Sequence, residues 1–232
     1  MICVLLLLLS SPIIYKLIIG GGGGGITPPF ITRGYDGIDV SHHNGAIRWN
    51  KVARNSNIKF VYVKATEGRS LKDNMFYQNT IDARRAGMNV GAYLFVNSYS
   101  SAMDHFLFFK NTVRGTNFNL IPMIDLEQSG IHGKSMGQIR DLVIELCSLL
   151  KSEYGKRPII YTTYKIYNEI KCPEIDRQYI WICKYGSKPE LVNDSKYQIW
   201  QYSEKGKIDG IKGYVDLNKF MNGMTIDKLK LR

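Results

Sequence analysis

Leu120-Ile121-Pro122-Met123-Ile124-Asp125-Leu126-Glu127 is the stretch that decides both the fold and the chemistry of this chain. A short apolar run of this kind is typical of a buried strand. Because side chains alternate along a strand, Asp125 and Glu127 project from one face at its end, while Leu126 turns away. Two close carboxyl groups hinder each other's ionisation, so the pKa of one rises and that group can act as an acid near neutral pH.

A pair of close carboxyl groups is also the chemistry that glycoside hydrolysis requires. One acid protonates the leaving oxygen, and a carboxylate supports the cationic centre that develops on the sugar. The alternative is an Asp that caps the following helix and a Glu that lies in solvent, as is common in loops between a strand and a helix. The segment alone leaves both interpretations open.

Outward from this segment, apolar or β-branched runs alternate with helical patterns from residue 35 onward. The runs predict strands near residues 37–40, 59–65, 90–95, 120–126, 158–163, 179–183, 197–202 and 213–217. Four segments have helical patterns. The first begins after Asp73 and ends at Gly87, and the others cover residues 100–113, 135–154 and 163–170. Such alternation indicates a mainly parallel sheet. We therefore predict an α/β fold: a single TIM-barrel-like (β/α) barrel of about eight mostly parallel strands, with fewer than eight helices.

Acidic residues recur where the predicted strands end. Asp39 ends the first strand, Glu67 follows the second, Asp125 and Glu127 end the fourth, and Asp216 lies in the last. In barrels of this kind, the chemistry gathers at the C-terminal strand ends. Each acid alone could belong to a loop or a helix cap, and a structural partner for Lys64 or Arg69 is the simpler role for Glu67. Together, the acids on four strands predict an acidic site on one rim.

The composition limits the possible partners. The chain has 31 Lys and Arg against 20 Asp and Glu, a net charge of +11, which favours an anionic partner or a solvated basic surface. The basic residues are scattered and form no recognisable nucleic-acid-binding motif, so we expect no nucleic acid partner. The four cysteines, Cys3, Cys147, Cys172 and Cys183, form no CxxC pair and no disulfide framework. No set of metal ligands is apparent, and we expect neither a metal nor a cofactor.

The N-terminal region has a composition of its own. Residues 1–19 form an apolar leader, and residues 20–34 form a Gly-rich linker. The leader has the length of a signal peptide or of an uncleaved membrane anchor, although no basic residue precedes it and Pro12 and Lys16 interrupt it. We therefore expect export from the cytoplasm, either as a secreted or periplasmic protein or anchored by an N-terminal transmembrane segment. A catalytic body at 35–224 and a basic tail at 225–232 complete the predicted organisation.

Six short motifs follow one another along the body, and together they resemble glycoside hydrolase family 25, the Chalaropsis-type lysozymes. They are Gly37-Ile38-Asp39-Val40-Ser41, Lys64-Ala65-Thr66-Glu67-Gly68, Gly91-Ala92-Tyr93, Asp125-Leu126-Glu127, Trp200-Gln201-Tyr202 and Val215-Asp216-Leu217-Asn218. Each motif is short, but six of them in order over the whole body are specific. Two departures are visible: Leu94 stands where many members have His, and Cys183 stands where Ala is commoner.

The resemblance implies a fold and a reaction. The fold is a (β/α) barrel with fewer than eight helices, and the reaction is that of a lysozyme (N-acetylmuramidase), which cleaves the β-1,4 bond between N-acetylmuramic acid and N-acetylglucosamine in peptidoglycan. Carried over by position, Glu127 is the proton donor, and Asp125, Asp39 and Asp216 form the surrounding acidic cluster. The biological setting would be remodelling or lysis of the bacterial cell wall.

The resemblance also implies contacts with the substrate. Tyr93 and Tyr161 would lie beside the sugar in the central subsite. Trp181, Gln201 and Tyr202 are further candidates for substrate binding, although aromatic residues in strands are also typical of a core. We expect a monomer that acts on peptidoglycan glycan strands, with possible membrane attachment through the leader. The alternatives are a non-catalytic glycan-binding module on the same barrel and a hydrolase of another N-acetylated glycan such as chitin.

Overall fold

The computed structural model describes residues 34–191 and 196–231. The predicted leader at 1–19 and all but the last residue of the predicted linker at 20–34 lie outside the described residues. Within the part of the chain that is described, no helix is both long enough and apolar enough to cross a membrane.

One sheet organises the described residues. Its strands are β1 (Gly37–Val40), β2 (Phe60–Glu67), β3 (Leu71–Lys72), β4 (Val90–Phe95), β5 (Met123–Leu126), β6 (Ile159–Thr163), β7 (Tyr179–Cys183), β8 (Ile199–Gly206) and β9 (Val215–Phe220). The helices are α1 (Trp49–Val52), α2 (Phe76–Arg85), α3 (Ala102–Val113), α4 (Met136–Tyr154), α5 (Tyr164–Ile170), α6 (Pro173–Asp176) and α7 (Ile226–Leu229). Short 3-10 turns at His42–Asn44 and Gln128–Gly130 follow β1 and β5.

The sheet closes into a barrel of eight strands. The order around it is β1-β9-β8-β7-β6-β5-β4-β2, and the ring is closed because β1 also pairs with β2. The two-residue β3 is an antiparallel addition to β2 outside this ring. The predicted α/β barrel with mostly parallel strands and fewer than eight helices is confirmed. The exception is β9, which runs antiparallel to both β8 and β1, since the short β8–β9 connection allows a hairpin but no crossover.

Local sequence signals explain the longest helix. Ser135 caps α4: its hydroxyl accepts the backbone N–H of Gln138, whose side chain in turn accepts the N–H of Ser135. The helix ends at Gly155, which has a left-handed φ of 72°. The helix α2 differs from its prediction, because it begins at Phe76 rather than directly after Asp73. The Asp73 carboxylate accepts the N–H of Met75 and that of His42 instead.

Strand alternation divides the apolar side chains between two cores. In β5, Ile124 and Leu126 point outward and pack in the core beneath the helices, while Met123 belongs to a second core inside the barrel. In β4, Leu94 packs in the outer core and Tyr93 belongs to the inner one, as predicted from their adjacent positions. The inner core fills the barrel below its C-terminal rim, so polar groups that point inward at the rim lie on top of it.

The C-terminal segment belongs to the barrel domain. Leu229 in α7 is fully buried, and its carbonyl accepts the N–H of Ile121 at 2.8 Å. Lys230 forms a β-bridge with Leu120, and the N–H of Leu231 donates to Asn119. The residues predicted as a separate basic tail at 225–232 are therefore folded against the body up to 231, and the boundary predicted at 224 is wrong. The reason is that Leu229 and Leu231, which alternate with lysines, pack against the apolar residues of the inner core.

Candidate active site

The C-terminal rim of the parallel strands holds an acidic pocket of about 190 Å³. This volume is smaller than the roughly 300–1,000 Å³ of pockets that enclose a whole drug-sized ligand, and it suits one unit of a longer chain. All four predicted catalytic acids reach the pocket. Its lining consists of Asp39, Tyr93, Met123, Asp125, Glu127, Tyr161, Tyr185, Gln201, Glu204 and Asp216.

The acids at the end of β5 do not cap the element that follows. The 3-10 turn at Gln128–Gly130 begins directly after Glu127, and the Glu127 side chain makes no capping hydrogen bond. Asp125 is buried, and its Oδ1 atom has no hydrogen-bond partner within the described ranges. A buried polar atom without a partner costs stability and calls for an explanation. The interpretation of these two acids as a cap and a solvated residue is therefore excluded.

The geometry raises the pKa values of both β5 acids. Burial is the largest cause for Asp125, followed by the negative charges of Glu127 and Asp39. For Glu127, burial again comes first and the charge of Asp39 second. The Lys64 ammonium opposes the rise at both carboxyl groups. Glu127 therefore keeps its proton to a higher pH than a solvated glutamate does, which is the requirement for a general acid.

Asp39 and Asp216 form a second acidic pair, made by the junction of the first and last strands. The two residues lie directly opposite each other in the β1–β9 ladder. Burial raises the pKa of Asp216 to about 9, with further contributions from the charge of Asp39 and from a hydrogen bond between the two side chains. Burial also raises the pKa of Asp39, while its hydrogen bonds lower it. The Asp216 carboxyl group thus keeps its proton to a higher pH than a solvated aspartate does.

Amide groups fix the position of Asp39. Its Oδ2 accepts the Asn218 side-chain N–H at 2.7 Å and the Gln201 side-chain N–H at 3.1 Å. The Gln201 side-chain carbonyl accepts the hydroxyl groups of Tyr161 at 2.9 Å and Tyr185 at 3.0 Å. The side-chain amides of Asn218 and Gln201 therefore direct their N–H groups at the Asp39 carboxylate and their carbonyl oxygens away from it. These hydrogen bonds fix the orientation of both amides.

Two predicted substrate contacts lie outside the pocket. Trp181 is fully buried in the inner core, where it packs edge-on against Phe60, Tyr62 and Tyr161, with ring centroids 5.4–5.7 Å apart. Its indole N–H donates to the side-chain carbonyl of Asn218 at 3.1 Å, so it supports the amide that holds Asp39. Strand alternation turns Tyr202 to the outer core, since its neighbour Gln201 points inward. The expectation that Trp181 and Tyr202 contact the sugar is therefore corrected.

The other predicted substrate contacts do line the pocket. Tyr93 on β4, Tyr161 on β6 and Gln201 on β8 project into it beside the acids. Burial raises the pKa of both tyrosines, and the neighbouring carboxylates add to this effect. Their hydroxyl groups therefore stay protonated and can act as hydrogen-bond donors.

Sequence reasoning missed Asn218 and Glu204, and it considered Tyr185 only as a ring that could stack on a sugar. Asn218 lies two positions after Asp216, and because strand side chains repeat every second residue, its place on the same face was open to prediction. Tyr185 follows the end of β7, and Glu204 lies in the part of β8 where the ladder is irregular. No periodic pattern marks either position.

The remaining candidate residues have structural partners. Glu67 pairs with Lys64 at 2.8 Å, as predicted. His42 contacts Asp73 at 2.7 Å, rather than the acids of the pocket. Cys183 lies beside the Tyr161 and Tyr185 hydroxyl groups, and burial raises the pKa of its thiol to about 11. In the described part of the chain, no group of three or more His, Cys, Asp or Glu side chains could hold a metal ion.

A barrel that gathers carboxyl groups into one pocket at its C-terminal strand ends is the arrangement of a glycoside hydrolase. Comparison with known proteins identifies one family within this class of enzymes. The chain belongs to glycosyl hydrolases family 25, whose family model matches residues 38–211.

Relatives and solved structures agree with this assignment. Lysozyme M1 of Streptomyces globisporus is 32% identical over 222 residues, which is 88% of this chain and 73% of the relative. The bacterial lysozyme structure from Streptomyces coelicolor has a TM-score of 0.71 and 31% identity, covering 82% of this chain and 94% of its own. A family 25 glycosyl hydrolase from Bacillus anthracis has a TM-score of 0.73 and 29% identity, covering 87% and 96%.

Proposed function

We propose that this enzyme is a lysozyme (N-acetylmuramidase), which hydrolyses the β-1,4 bond between N-acetylmuramic acid and N-acetylglucosamine in peptidoglycan. The observation that carries the proposal is the convergence of Asp39, Asp125, Glu127 and Asp216 in one pocket of the barrel. Relatives named as lysozymes support the substrate.

Glu127 is the proton donor of the proposed reaction. Of the two β5 acids it is the more exposed one, so it can reach the glycosidic oxygen of a sugar in the pocket. Its raised pKa keeps a fraction of the carboxyl groups protonated under conditions in which a solvated glutamate is ionised. Transfer of that proton to the leaving oxygen allows the bond to the anomeric carbon to break.

The other acids stabilise the positive charge that develops on the sugar. Asp125, whose Oδ1 has no hydrogen-bond partner among the described residues, can interact with the reacting sugar without breaking a hydrogen bond to any of them. Asp39 is held in place by Asn218 and Gln201, so its carboxylate needs no reorganisation during the reaction. Tyr93 and Tyr161 lie beside the acids and would position the sugar ring.

The replacement Glu127→Gln tests the role of the proton donor. Because general acid catalysis contributes roughly 10²–10⁴ in rate, we expect a loss of at least about 10²-fold in the clearance of a peptidoglycan suspension. Glu153→Gln is the matched control, since Glu153 lies at the far end of α4 and pairs with Lys110 on the surface. Normal lysis by the Glu127→Gln enzyme would contradict the assignment.

The products test the substrate. Mass analysis of released muropeptides should find muramic acid at the reducing end, and chitin should be cleaved poorly or not at all. Fragments with N-acetylglucosamine at the reducing end would instead indicate a different bond specificity. Binding to peptidoglycan without release of any fragment would indicate a non-catalytic glycan-binding module.

The proposed substrate lies outside the cytoplasmic membrane, and the apolar residues 1–19 support export. We propose a monomer that reaches the wall either after cleavage of this leader or while anchored by it. Fractionation of cells, followed by N-terminal sequencing, distinguishes the two forms. Light scattering of the purified protein tests the oligomeric state.

A further inference from the structure

Two exposed aromatic side chains, one in the loop after β4 and one in the loop after β5, stack on each other. The Tyr99 side chain is 75% exposed, and its ring stacks on that of His132, which is also exposed. The ring centroids are 5.7 Å apart, and the ring planes differ by only 11°. A large aromatic ring so exposed gains little from burial, so its contribution to folding is small.

Hydrogen bonds hold the two loops that carry this pair against each other. The Ser98 hydroxyl donates to the His132 carbonyl at 2.8 Å and accepts the His132 N–H at 2.7 Å. The Ser98 N–H donates to the Gly130 carbonyl at 2.9 Å. The Asn97 side chain accepts the Tyr99 N–H at 3.0 Å. The backbone segments that carry the two rings are therefore held in place before any ligand binds, which lowers the entropy cost of binding.

His132 also offers a free polar atom. Its Nε2 lies 2.7 Å from the Ser129 carbonyl, and since a carbonyl can only accept, Nε2 must carry the hydrogen. In the neutral ring Nδ1 is then an acceptor, and it makes no hydrogen bond to the described residues. The pair thus combines an open ring face with an unused hydrogen-bonding atom.

The pair lies on the same rim as the acidic pocket. Tyr99 follows β4, which carries Tyr93, and His132 lies in the connection between Glu127 and α4. Tyr99 also forms one wall of a groove of about 490 Å³ between the starts of α3 and α4. Hydroxyl and amide groups line this groove, and its charged groups are Asp104, Lys134, Asp141 and Glu145.

We propose that Tyr99 and His132 form an outlying saccharide subsite, which binds a sugar of the same glycan chain at a distance from the bond that is cleaved. The apolar face of a sugar ring would pack on the free face of Tyr99, and a sugar hydroxyl or amide would donate to His132 Nδ1. This inference rests on the proposed function and adds to it a second point of contact with the polymer.

The chemistry of the groove favours the neutral N-acetylglucosamine units of the glycan over N-acetylmuramic acid, whose lactyl group carries a carboxylate. Three carboxylates and one ammonium line it, so a phosphate polymer or a carboxylate-rich peptide would be repelled. The lining is polar apart from Tyr99, Ala102 and Leu142, which does not suit the apolar centre of a protein interface. A chain of hydroxyl and amide groups with apolar ring faces matches both the groove and the aromatic pair.

The test measures the affinity of peptide-free peptidoglycan glycan fragments of increasing length, from disaccharide to octasaccharide. The full-length Glu127→Gln protein serves as the parent, so that the fragments are not cut. We expect the parent to bind long fragments more tightly than short ones. Adding Tyr99→Ala should weaken the binding of long fragments by about tenfold, as truncation of an aromatic anchor commonly does. Adding His132→Ala should weaken it in the same direction.

Two further variants separate stacking from other effects. Tyr99→Phe keeps the ring, so it should bind long fragments as the parent does. Leu107→Ala, which truncates another exposed side chain on the outside of α3, should also leave the binding unchanged. Melting temperatures of all the variants verify that they are folded.

The possible failures can be told apart. Equal binding of long fragments by the parent and the Tyr99→Ala protein overturns the subsite but leaves the proposed function intact. A loss in Tyr99→Phe as large as that in Tyr99→Ala overturns the stacking mechanism. If the parent binds no fragment and the wild-type protein cuts none, the proposed function fails, and the subsite fails with it.

Discussion

At the scale of single residues, the pocket combines acids that are hard to ionise with one nearby cation. Burial raises the pKa of Glu127, and the negative charge of Asp39 raises it further. Lys64, which is largely buried on β2 and paired with Glu67, works in the opposite direction. Burial is thus the main influence on the pKa of Glu127, and two identifiable charges shift it in opposite directions.

The pH profile of kcat/KM tests this balance. Because the proposed donor must be protonated, activity falls as pH rises through the pKa of Glu127. Lys64→Met removes the charge that lowers this pKa, so the alkaline limb should move to higher pH. Asp39→Asn removes the charge that raises it, so the limb should move to lower pH in whatever activity remains. Lys59→Met, at the other end of β2, is the control. Shifts in the same direction would contradict this account.

Asp216 makes the folded protein less stable as pH rises. Its pKa is about 9 in the folded state, against a reference value of 3.8. The folded state therefore binds more protons than the unfolded state between these values, and the free energy of unfolding falls with rising pH across that range. Asp216, which lines the pocket, therefore lowers the free energy of unfolding at neutral pH.

Asp216→Asn should therefore be more stable than the wild type at pH 8, although less active. We expect a gain of at least about 1 kcal/mol, since one unit of pKa displacement corresponds to about 1.4 kcal/mol. This is a rise of roughly 2–4 °C in Tm for a domain of this size. The difference should shrink towards pH 4, where the Asp216 carboxyl group becomes protonated in the unfolded wild-type protein as well as in the folded one. Asp209→Asn, at an exposed position, should show no such trend in thermal unfolding.

At the scale of elements, the loop after β5 connects Glu127, the proposed proton donor, to the rest of the barrel. Gly130 lies so close to β4 that an added Cβ would come within 2.0 Å of the Val96 carbonyl oxygen. The Ser98 N–H donates to the Gly130 carbonyl on the same side. The loop that leads away from Glu127 is therefore held by close backbone packing, which only glycine allows at this point.

Gly130→Ala should displace this loop and lower kcat, and it should also reduce the free energy of unfolding by roughly 1–3 kcal/mol through overpacking. Gly137→Ala is the matched control in the same region, because its added Cβ meets nothing closer than 3.8 Å. It should be neutral or slightly stabilising, since alanine favours a helix over glycine. Denaturant titration and turnover on peptidoglycan measure both quantities. An active, fully stable Gly130→Ala protein would disprove the packing argument.

Several elements were predictable because their signals are local. The limits of α4 follow from Ser135 and Gly155, and the inward direction of Asp125 follows from strand alternation. The burial of Trp181 was not predictable in this way. A strand side chain that points into a barrel has the same sequence pattern whether it lies deep inside or at the rim. Register does not separate the two cases either, since Trp181 pairs with Tyr161, which lines the pocket. Trp181 is buried because the rings of Phe60, Tyr62 and Tyr161 pack around it inside the barrel, and these contacts join distant parts of the sequence.

At the scale of the whole molecule, the C-terminal segment completes the inner core. Leu229 is fully buried in that core with Leu120 and Ile121, and the segment is bonded to the start of the β5 region. A basic composition predicted a free tail, but the alternation of leucine with lysine allows one face to be buried while the other stays in solvent. Charge alone was the wrong guide to this boundary.

Leu229→Ala should reduce the free energy of unfolding by about 2–5 kcal/mol, because it opens a cavity in a packed core. Lys228→Ala, at the neighbouring exposed position, should change it by less than about 0.5 kcal/mol. Chemical denaturation of the two proteins gives the comparison. Equal stability would mean that the segment lies on the barrel without supporting it.

The antiparallel pairing of β9 with β1 has a consequence for synthesis. The Asn218–Asp39 hydrogen bond joins residues 179 positions apart, and contacts between such distant residues form late in folding. A nascent chain on the ribosome can build most of the parallel strands in order, but it lacks Asp216 and its neighbours until nearly all of it has been translated. We therefore expect interrupted translation to yield inert fragments, because the acidic pocket is complete only when the two ends of the barrel meet.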